Sequence, residues 1–406
     1  MKRLLIITST FPRWKNDTTP EFVFELAKNI SLKKINVSIL APHYKNAKFY
    51  EIIEKIKIFR FPYFYPLSFQ KVSYDGGVLP NLKRSNLAKI QVIFFLISEF
   101  FLSLFLSIKN KIEVINSHWI IPHGFIGAII KKLTKKKHII VIHAGDLSLL
   151  EKLPFRRNIL SFIIKNSDLL IFVSNHGKKR LSKLVKDELL EKFNKIAIKI
   201  PMGVYTKNFR KLIIKSPKNK YLNKKNIIFI GRLTDKKGLI YLVKAMPIVF
   251  KKIPNCTLTI VGDGPLKKSL EENVKNLNIE NKILFVGYKI GKEKVNLLES
   301  SDILVVPSIK TKDNDEEGLP VVLMEGLATG KAIIATRCGG IPEIIKDQYN
   351  GLLINQKSSK ELAEKIIYLL KNPIKSRILE KNALNSGKKY DWQIIAKQYS
   401  DIIKNI

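Results

Sequence analysis

The chain has 406 residues, 46% of them apolar and 26% charged, and a formal net charge of +38. Charges of both signs interspersed in an apolar-rich chain exclude a disordered or fibrous protein, and the length calls for two domains, since one core rarely serves more than about 250–300 residues. Residues 1–200 hold 35 Lys and Arg against 14 Asp and Glu, and the remainder 37 against 20; so even a spread, with no zinc-finger spacing or RNP-type aromatic motif, argues against nucleic acid as a partner and fits an anionic membrane face better.

Residues 1–9 pass from two basic residues into a short apolar run without a small-residue cleavage site, so a first β-strand at 4–7 is expected rather than a signal peptide. A helix over 21–32 and a strand over 36–40 complete a strand, crossover, strand unit. Residues 90–108 form a 19-residue run of mostly Phe, Leu and Ile, close to the length that spans a bilayer. Its polar members, Gln91, Ser98, Glu99, Ser103 and Ser107, cover about half a helical wheel, and Glu99 is costly in lipid. A buried or partly exposed helix is favoured over one lying on a membrane, and both over a span. Apolar runs at 114–116, 138–143 and 169–173 continue the alternation and end in small or polar residues, as parallel strands do where they meet a site. The expected fold class is α/β, a doubly wound Rossmann-like sheet with ligands at the carboxyl ends of its strands.

The alternation breaks at Pro201-Met202-Gly203-Val204, and a Lys-rich, Pro-containing stretch to about residue 225 reads as a linker. Strands at 227–230, 257–261, 283–286, 303–306 and 332–335 then give a second Rossmann-like domain, and a last helix covers 392–403. Cys256 and Cys338 match no metal-ligand or CxxC spacing and are expected reduced, in a cytoplasmic protein.

Chemistry concentrates in the second half. Arg232, in Gly231-Arg232-Leu233, follows a strand, and Lys237 opens the next helix, so both cations lie near the carboxyl edge of the second sheet, where they can neutralise a leaving diphosphate. Glu317-Gly318-Leu319-Pro320 precedes a helix carrying Glu325, whose N-terminus suits a diphosphate. A carboxylate beside phosphate would repel it, so Glu317 and Glu325 are expected to accept hydrogen bonds from sugar hydroxyls; the competing reading is helix capping by Glu317 and a solvated Glu325. No paired Asp is placed to bridge a diphosphate through a metal, so no metal and no cofactor are expected beyond a nucleotide-diphosphate sugar as co-substrate.

Taken together, Gly-Arg-Leu with Asp-Lys-Lys-Gly, Val-Gly-Asp-Gly-Pro-Leu, Phe-Val-Gly-Tyr, Val-Val-Pro-Ser, Glu-Gly-Leu-Pro-Val-Val-Leu-Met-Glu and Gly-Gly-Ile-Pro-Glu resemble, in order and spacing, glycosyltransferase family 4 across residues 226–354. The resemblance implies a GT-B fold, two Rossmann-like domains facing across a cleft, and retaining, metal-independent transfer of a hexosyl-type sugar from a nucleotide sugar to a glycan or lipid-linked acceptor. It implies Arg232 and Lys237 on the donor phosphates, Glu317 and the adjoining Gly318, Leu319 and Pro320 at the donor sugar, Glu325 on the ribose, and the backbone near Gly287 and Tyr288 at the base. His118-Trp119 with Pro122, His143 in Ile-His-Ala-Gly-Asp, and Ser174 look like landmarks of the acceptor domain. By the same resemblance His143 lies at the cleft near the transferred sugar, with Asp146 as its neighbour, whereas His118 and His123 are expected to be structural. Asp391-Trp392 looks like the crossing back to the first domain, giving an acceptor domain at 1–203, a linker at 204–225, a donor domain at 226–385 and a returning helix at 386–406.

Two departures stand out. The segment 11–20 after the first strand contains no glycine where many relatives have a Gly-rich loop, and Tyr205 stands where Asp often follows Gly-Val, so Tyr205 receives no catalytic role. The rival functions are a sugar-nucleotide epimerase or phosphorylase, which would form product without an added acceptor, and a non-catalytic sugar-nucleotide-binding protein, which would bind without turnover. The lipid-linked or cell-envelope glycan expected as acceptor would place the protein in the cytoplasm, peripheral on the membrane's cytoplasmic face.

Overall fold

The computed structural model describes residues 1–14, 17, 19–74, 77–206 and 225–406. It divides into two compact units, Met1–Met202 with Trp392–Ile406, and Gly203–Asp391.

The first unit is an eight-stranded sheet of β1 (Arg3–Ile7), β2 (Asn36–Pro42), β3 (Tyr50–Ile53), β4 (Ile56–Phe61), β5 (Val114–His118), β6 (Lys137–Ile142), β7 (Leu169–Phe172) and β8 (Ala197–Lys199), in the order β3-β4-β2-β1-β5-β6-β7-β8. All pairings are parallel except β3 with β4. Strands such as Leu4 to Ile7, wholly buried, are apolar on both faces, and only helices on both faces can cover them. Those helices are α1 (Phe22–Ser31), α2 (Val78–Arg84), α3 (Asn86–Lys109), α4 (Phe125–Thr134), α5 (Gly145–Leu150), α6 (Arg156–Lys165), α7 (Asn175–Ser182) and α8 (Leu190–Ile196). Val23, Leu26, Ala27 and Ile30 form the buried stripe of α1. The C-terminal helix, Trp392–Asn405, packs on α1 through a stripe of Trp392, Ile395, Ala396, Tyr399 and Ile403 at the same period.

Helix α3 covers the long apolar run, turned opposite to the usual amphipathic sense. Gln91, Glu99, Ser103 and Ser107 face inward with Phe95 and Leu106. The exposed residues between Lys89 and Lys109 are Ile90, Ile93, Phe94, Ile97, Phe101, Phe105 and Ile108.

The second unit is a fully parallel six-stranded sheet of β9 (Lys225–Ile230), β10 (Cys256–Val261), β11 (Ile283–Gly287), β12 (Ile303–Val306), β13 (Ala332–Thr336) and β14 (Leu352–Ile354), ordered β11-β10-β9-β12-β13-β14. This is the doubly wound order, with its switch point between β9 and β12. Its helices are α9 (Leu239–Lys252), α10 (Lys267–Asn276), α11 (Gly291–Ser300), α12 (Val321–Ala328), α13 (Ile341–Ile344), α14 (Ser359–Lys371) and α15 (Pro373–Gly387). Leu242, Val243 and Met246 of α9 and Leu362 and Ile366 of α14 share one core with Leu258, Ile260 and Ile334 of the sheet.

Most of the expected linker, residues 207–224, lies outside the described residues, as do Lys15, Asn16 and Thr18 of the loop after β1. The linker's first residues stay with the second unit: the Val204 amide donates to the Tyr390 carbonyl at 2.8 Å, and Thr206 bonds the Asp391 carboxylate. Residues 386–391 also belong to that unit, and the chain returns to the first at Trp392.

Candidate active site

The motifs of residues 226–354 fall at the carboxyl ends of β9, β10, β11, β12 and β13 or on the helices that follow them. Gly231 leaves β9, its amide bonded to the Val261 carbonyl at 2.9 Å, and Arg232 follows with its side chain exposed. A single turn, Asp235–Lys237, ends at Gly238 in the left-handed region at φ +62°. A Cβ there would lie 2.0 Å from the carbonyl oxygen of Pro307, in the loop after β12, so only glycine lets the two loops that flank the switch point close on each other.

Across that junction Lys237 Nζ sits 2.7 Å from Glu317 Oε1, both side chains largely buried. Lys236 Nζ lies 3.3 Å from Asp315 Oδ1. Burial pushes the Glu317 carboxyl upward, but the positive charges of Lys237 and then Lys236 outweigh it and hold the group below the ordinary glutamate value. For Lys236 burial pulls downward while Glu317 and Asp315 raise it, with Arg232 near enough to oppose them. Three cations and two carboxylates therefore meet at the switch point.

Glu317 is fixed from behind by its own backbone. Its carbonyl oxygen faces Gly339 at φ +52°, where a Cβ would come within 1.8 Å, so the Gly339-Gly340 turn after β13 nests against it. The capping alternative does not hold: α12 starts at Val321 behind Pro320 in an extended conformation, with no side chain capping it. Glu317 is taken by Lys237 instead. Gly318 and Pro320 are buried and Leu319 half-buried, a tight connection that brings the uncapped N–H groups of α12 beside Glu317. Glu325 is not a solvated carboxylate either, because Lys294 of α11 holds its Oε1 at 2.6 Å. At the sheet edge Gly287, at φ +72°, accepts the Gly262 amide at 2.8 Å, and Tyr288 beside it is exposed.

In the first unit the corresponding strand ends carry neutral rings. His143, just beyond β6, has Nε2 3.2 Å from His118 Nδ1 at the end of β5, and Trp119 and Phe22 flank it with ring centroids at 4.8 and 5.1 Å. Burial drives the His143 imidazole down to about 3. His118 falls well below its ordinary value, first through burial and then through His143 and His123. Both are neutral, so of the two facing nitrogens one donates and one accepts. His118, expected as merely structural, is thus the partner that orients His143, whereas His123 pairs with Glu99 at 2.9 Å deep in the core.

Asp146 acts on backbone. Its carboxylate accepts from the amides of Ile120 at 2.9 Å and of His143 and Leu147 at 3.2 Å, binding the loop after β5 to the loop after β6. Burial nevertheless raises its carboxyl to about 6 against those backbone bonds. It serves the site by positioning His143 rather than by facing a ligand.

Sequence reasoning missed four contributors. Lys236 stands in the Asp-Lys-Lys-Gly run but nothing local sets it apart from Lys237, and Asp315 and Lys294 lie outside the quoted motifs. The fourth is the clamp that replaces a glycine loop after β1: Arg13 binds Asp17 through Nη2–Oδ1 at 2.6 Å and Nε–Oδ2 at 2.9 Å and lies over the rings of Trp14 and Tyr44. Burial opposes ionisation of Asp17, yet its bonds from Arg13 bring the carboxyl down to about 2.

Family models match the sequence of both units. The model of glycosyltransferase family 4 matches residues 21–189, and that of the glycosyl transferases group 1 matches residues 211–386, together most of the chain. An uncharacterized glycosyltransferase of Methanocaldococcus jannaschii is 27% identical over 342 residues, covering 84% of this chain and 89% of its own. The amylovoran biosynthesis glycosyltransferase AmsK of Erwinia amylovora is 29% identical over 64% of this chain and 63% of its own. Among solved structures, Anabaena HepE in complex with UDP-glucose has a TM-score of 0.70 with all of both chains covered, at 15% identity, a likeness of fold.

Proposed function

The chain belongs to the group 1 and family 4 glycosyltransferases of the GT-B fold, and on that premise we propose that it moves a hexosyl-type sugar, with retention, from a nucleotide-diphosphate sugar to a lipid-linked or cell-envelope glycan. The relative named for amylovoran biosynthesis supports a role in cell-surface polysaccharide or glycolipid assembly. The setting is the cytoplasm, at an anionic membrane surface presenting the acceptor.

The observation that carries the reading is the cluster of Arg232, Lys236 and Lys237 against Glu317 at the switch point of the second unit. In transfer the bond from the anomeric carbon to the phosphate oxygen breaks, and charge builds on the departing diphosphate. Arg232 and Lys237 neutralise it without a metal, and the acceptor oxygen bonds the same face of that carbon while its proton passes to a phosphate oxygen. Glu317, held ionised, accepts from hydroxyls of the donor sugar, and Glu325, aligned by Lys294, from the ribose. His143 offers a neutral imidazole to a hydroxyl, oriented by His118 and Asp146. No protein nucleophile is required.

The test is a thermal-shift screen of the whole chain against nucleoside diphosphates and nucleotide sugars. A ligand bound only by the folded state raises the melting temperature, by about 2.7 kcal/mol of added stability at a hundredfold excess over Kd. Selective stabilisation by one base is expected. Silence across the panel, or binding without turnover on any glycan acceptor, would overturn the transferase reading in favour of a binding protein.

A further inference from the structure

Helix α3 presents the wrong face to water. Along its exposed side every residue between Lys89 and Lys109 is isoleucine or phenylalanine, a stripe about 27 Å long at 1.5 Å per residue. The polar side chains that would normally occupy that side are used up inside. Gln91 accepts the Lys71 amide at 2.9 Å and donates to the Phe69 carbonyl at 2.8 Å, Ser98 donates to the Pro62 carbonyl, and Glu99 holds His123. Rolling the helix to bury the stripe would carry these side chains into water and leave their partners, the Phe69 and Pro62 carbonyls and the buried His123 ring, without them, so the rotation is locked with its apolar side outward.

A patch of this size on a folded surface marks a partner, and charge identifies which. Lys83, Arg84 and Lys89 stand exposed at one end of the stripe and Lys109 and Lys111 at the other, with no exposed acid on α3 between them. A second copy would set these cations against their own equivalents on a chain that already carries +38. An anionic bilayer offers the opposite charge at its surface and hydrocarbon beneath, the arrangement that an in-plane helix with lysines at its ends fits. The neighbouring loop extends the patch: Phe64 packs its ring 6.2 Å from Phe94, and Tyr65 and Phe69 beside it are exposed. We propose that the outward stripe of α3 is a monotopic membrane-docking surface, lying parallel to an anionic bilayer with its phenylalanines and isoleucines below the headgroups. This deepens the membrane-borne acceptor of the proposed function, on whose membrane it rests.

The experiment is co-sedimentation of the full chain with vesicles of phosphatidylcholine, with and without phosphatidylglycerol. Wild type is expected to sediment with the mixed vesicles and to stay partly bound in high salt, because apolar burial is not screened. The triple variant Ile97→Ser, Phe101→Ser, Phe105→Ser is expected to lose more than about tenfold in partitioning, while keeping its melting temperature and its stabilisation by nucleotide. A Lys89→Glu, Lys109→Glu variant should retain residual binding and lose the preference for phosphatidylglycerol. Wild type blind to both vesicle types, or a triple variant that binds as wild type does, overturns the proposal. So does a lipid-free wild-type dimer that the triple variant converts to monomer, which would make the stripe an interface between copies. Nucleotide stabilisation is read separately, so a failed donor assignment and a failed docking surface give different results.

Discussion

The two units solve the same problem, a polar site at the carboxyl edge of a doubly wound sheet, by opposite means. All six histidines and all three tryptophans lie in the first unit, and the second has neither. In the first, His143 and His118 are kept neutral by burial, and His143 is wedged among aromatic rings. In the second, Lys236 faces Asp315 and Lys237 faces Glu317, so each cation meets a carboxylate. Under the proposed function the difference fits what each would meet: a ligand hydroxyl needs an oriented donor or acceptor, whereas a diphosphate needs countercharge held in place before it arrives.

The largest effect that would test this division is on turnover. Arg232 is exposed, so Arg232→Ala is expected to lower turnover by about 10²–10³-fold, the cost of one charge-stabilising group, with the melting temperature nearly unchanged. Turnover would be measured with the nucleotide sugar selected by the thermal screen. Wild-type rates in this variant would remove the cation cluster from the chemistry.

Next in size is the coupling between Lys237 and Glu317. Lys237→Met leaves Glu317 buried beside Lys236 alone, and a loss of about 2–3 kcal/mol in the second unit is expected from breaking a largely buried pair. Adding Glu317→Gln removes the stranded charge and should restore most of that stability while leaving activity low. Calorimetry is the readout, because tryptophan fluorescence is silent on this unit. A double variant no more stable than the single one would mean that the cluster is not held together by mutual compensation.

How far the sequence reveals these two sites follows from how they are built. Arg232, Lys237 and Glu317 sit in loops whose glycines are dictated by close backbone approach, at Gly238 and Gly339, so the motif is written in residue types that admit few substitutes. Lys294 reaches Glu325 from a separate helix, and nothing local distinguishes it from other lysines. Much of the sheet core was legible from apolar runs of four residues, as at 4–7, 227–230 and 303–306. The three-residue strands β8 and β14 are too short to show a period, and the β3–β4 hairpin turns on Glu54 and Lys55, both at positive φ, in place of the Asn-Gly type of signal that such a turn favours. The rotation of α3 was illegible for another reason: its wheel contains both faces, and only the tertiary partners of Gln91, Ser98 and Glu99 decide which one turns inward.

The smallest effect, and the most specific to the first unit, is its response to acid. A histidine whose pKa falls on folding contributes stability that is complete above its unfolded value of about 6.5 and is lost as pH falls toward the folded value. For His143 the folded value is about 3 and for His138 about 4, burial being the leading cause of both. Each therefore withdraws at most about 1.4 kcal/mol per pH unit below pH 6.5. Asp146 has the opposite sign: its folded carboxyl titrates at about 6, above the unfolded value, so the stability it contributes is present below about pH 4 and lost as pH rises through 6. Between pH 4 and 6 it offsets roughly one histidine. The urea midpoint followed by tryptophan fluorescence, which reports the first unit alone, is expected to fall on acidification from pH 7 to 4.5. In Asp146→Asn the fall should steepen by up to about 1.4 kcal/mol per pH unit, over and above a pH-independent loss from the altered backbone bonds. A flat wild-type profile would show that the imidazoles are not held neutral by burial, and an unchanged slope in the variant would show that Asp146 is already ionised across the range.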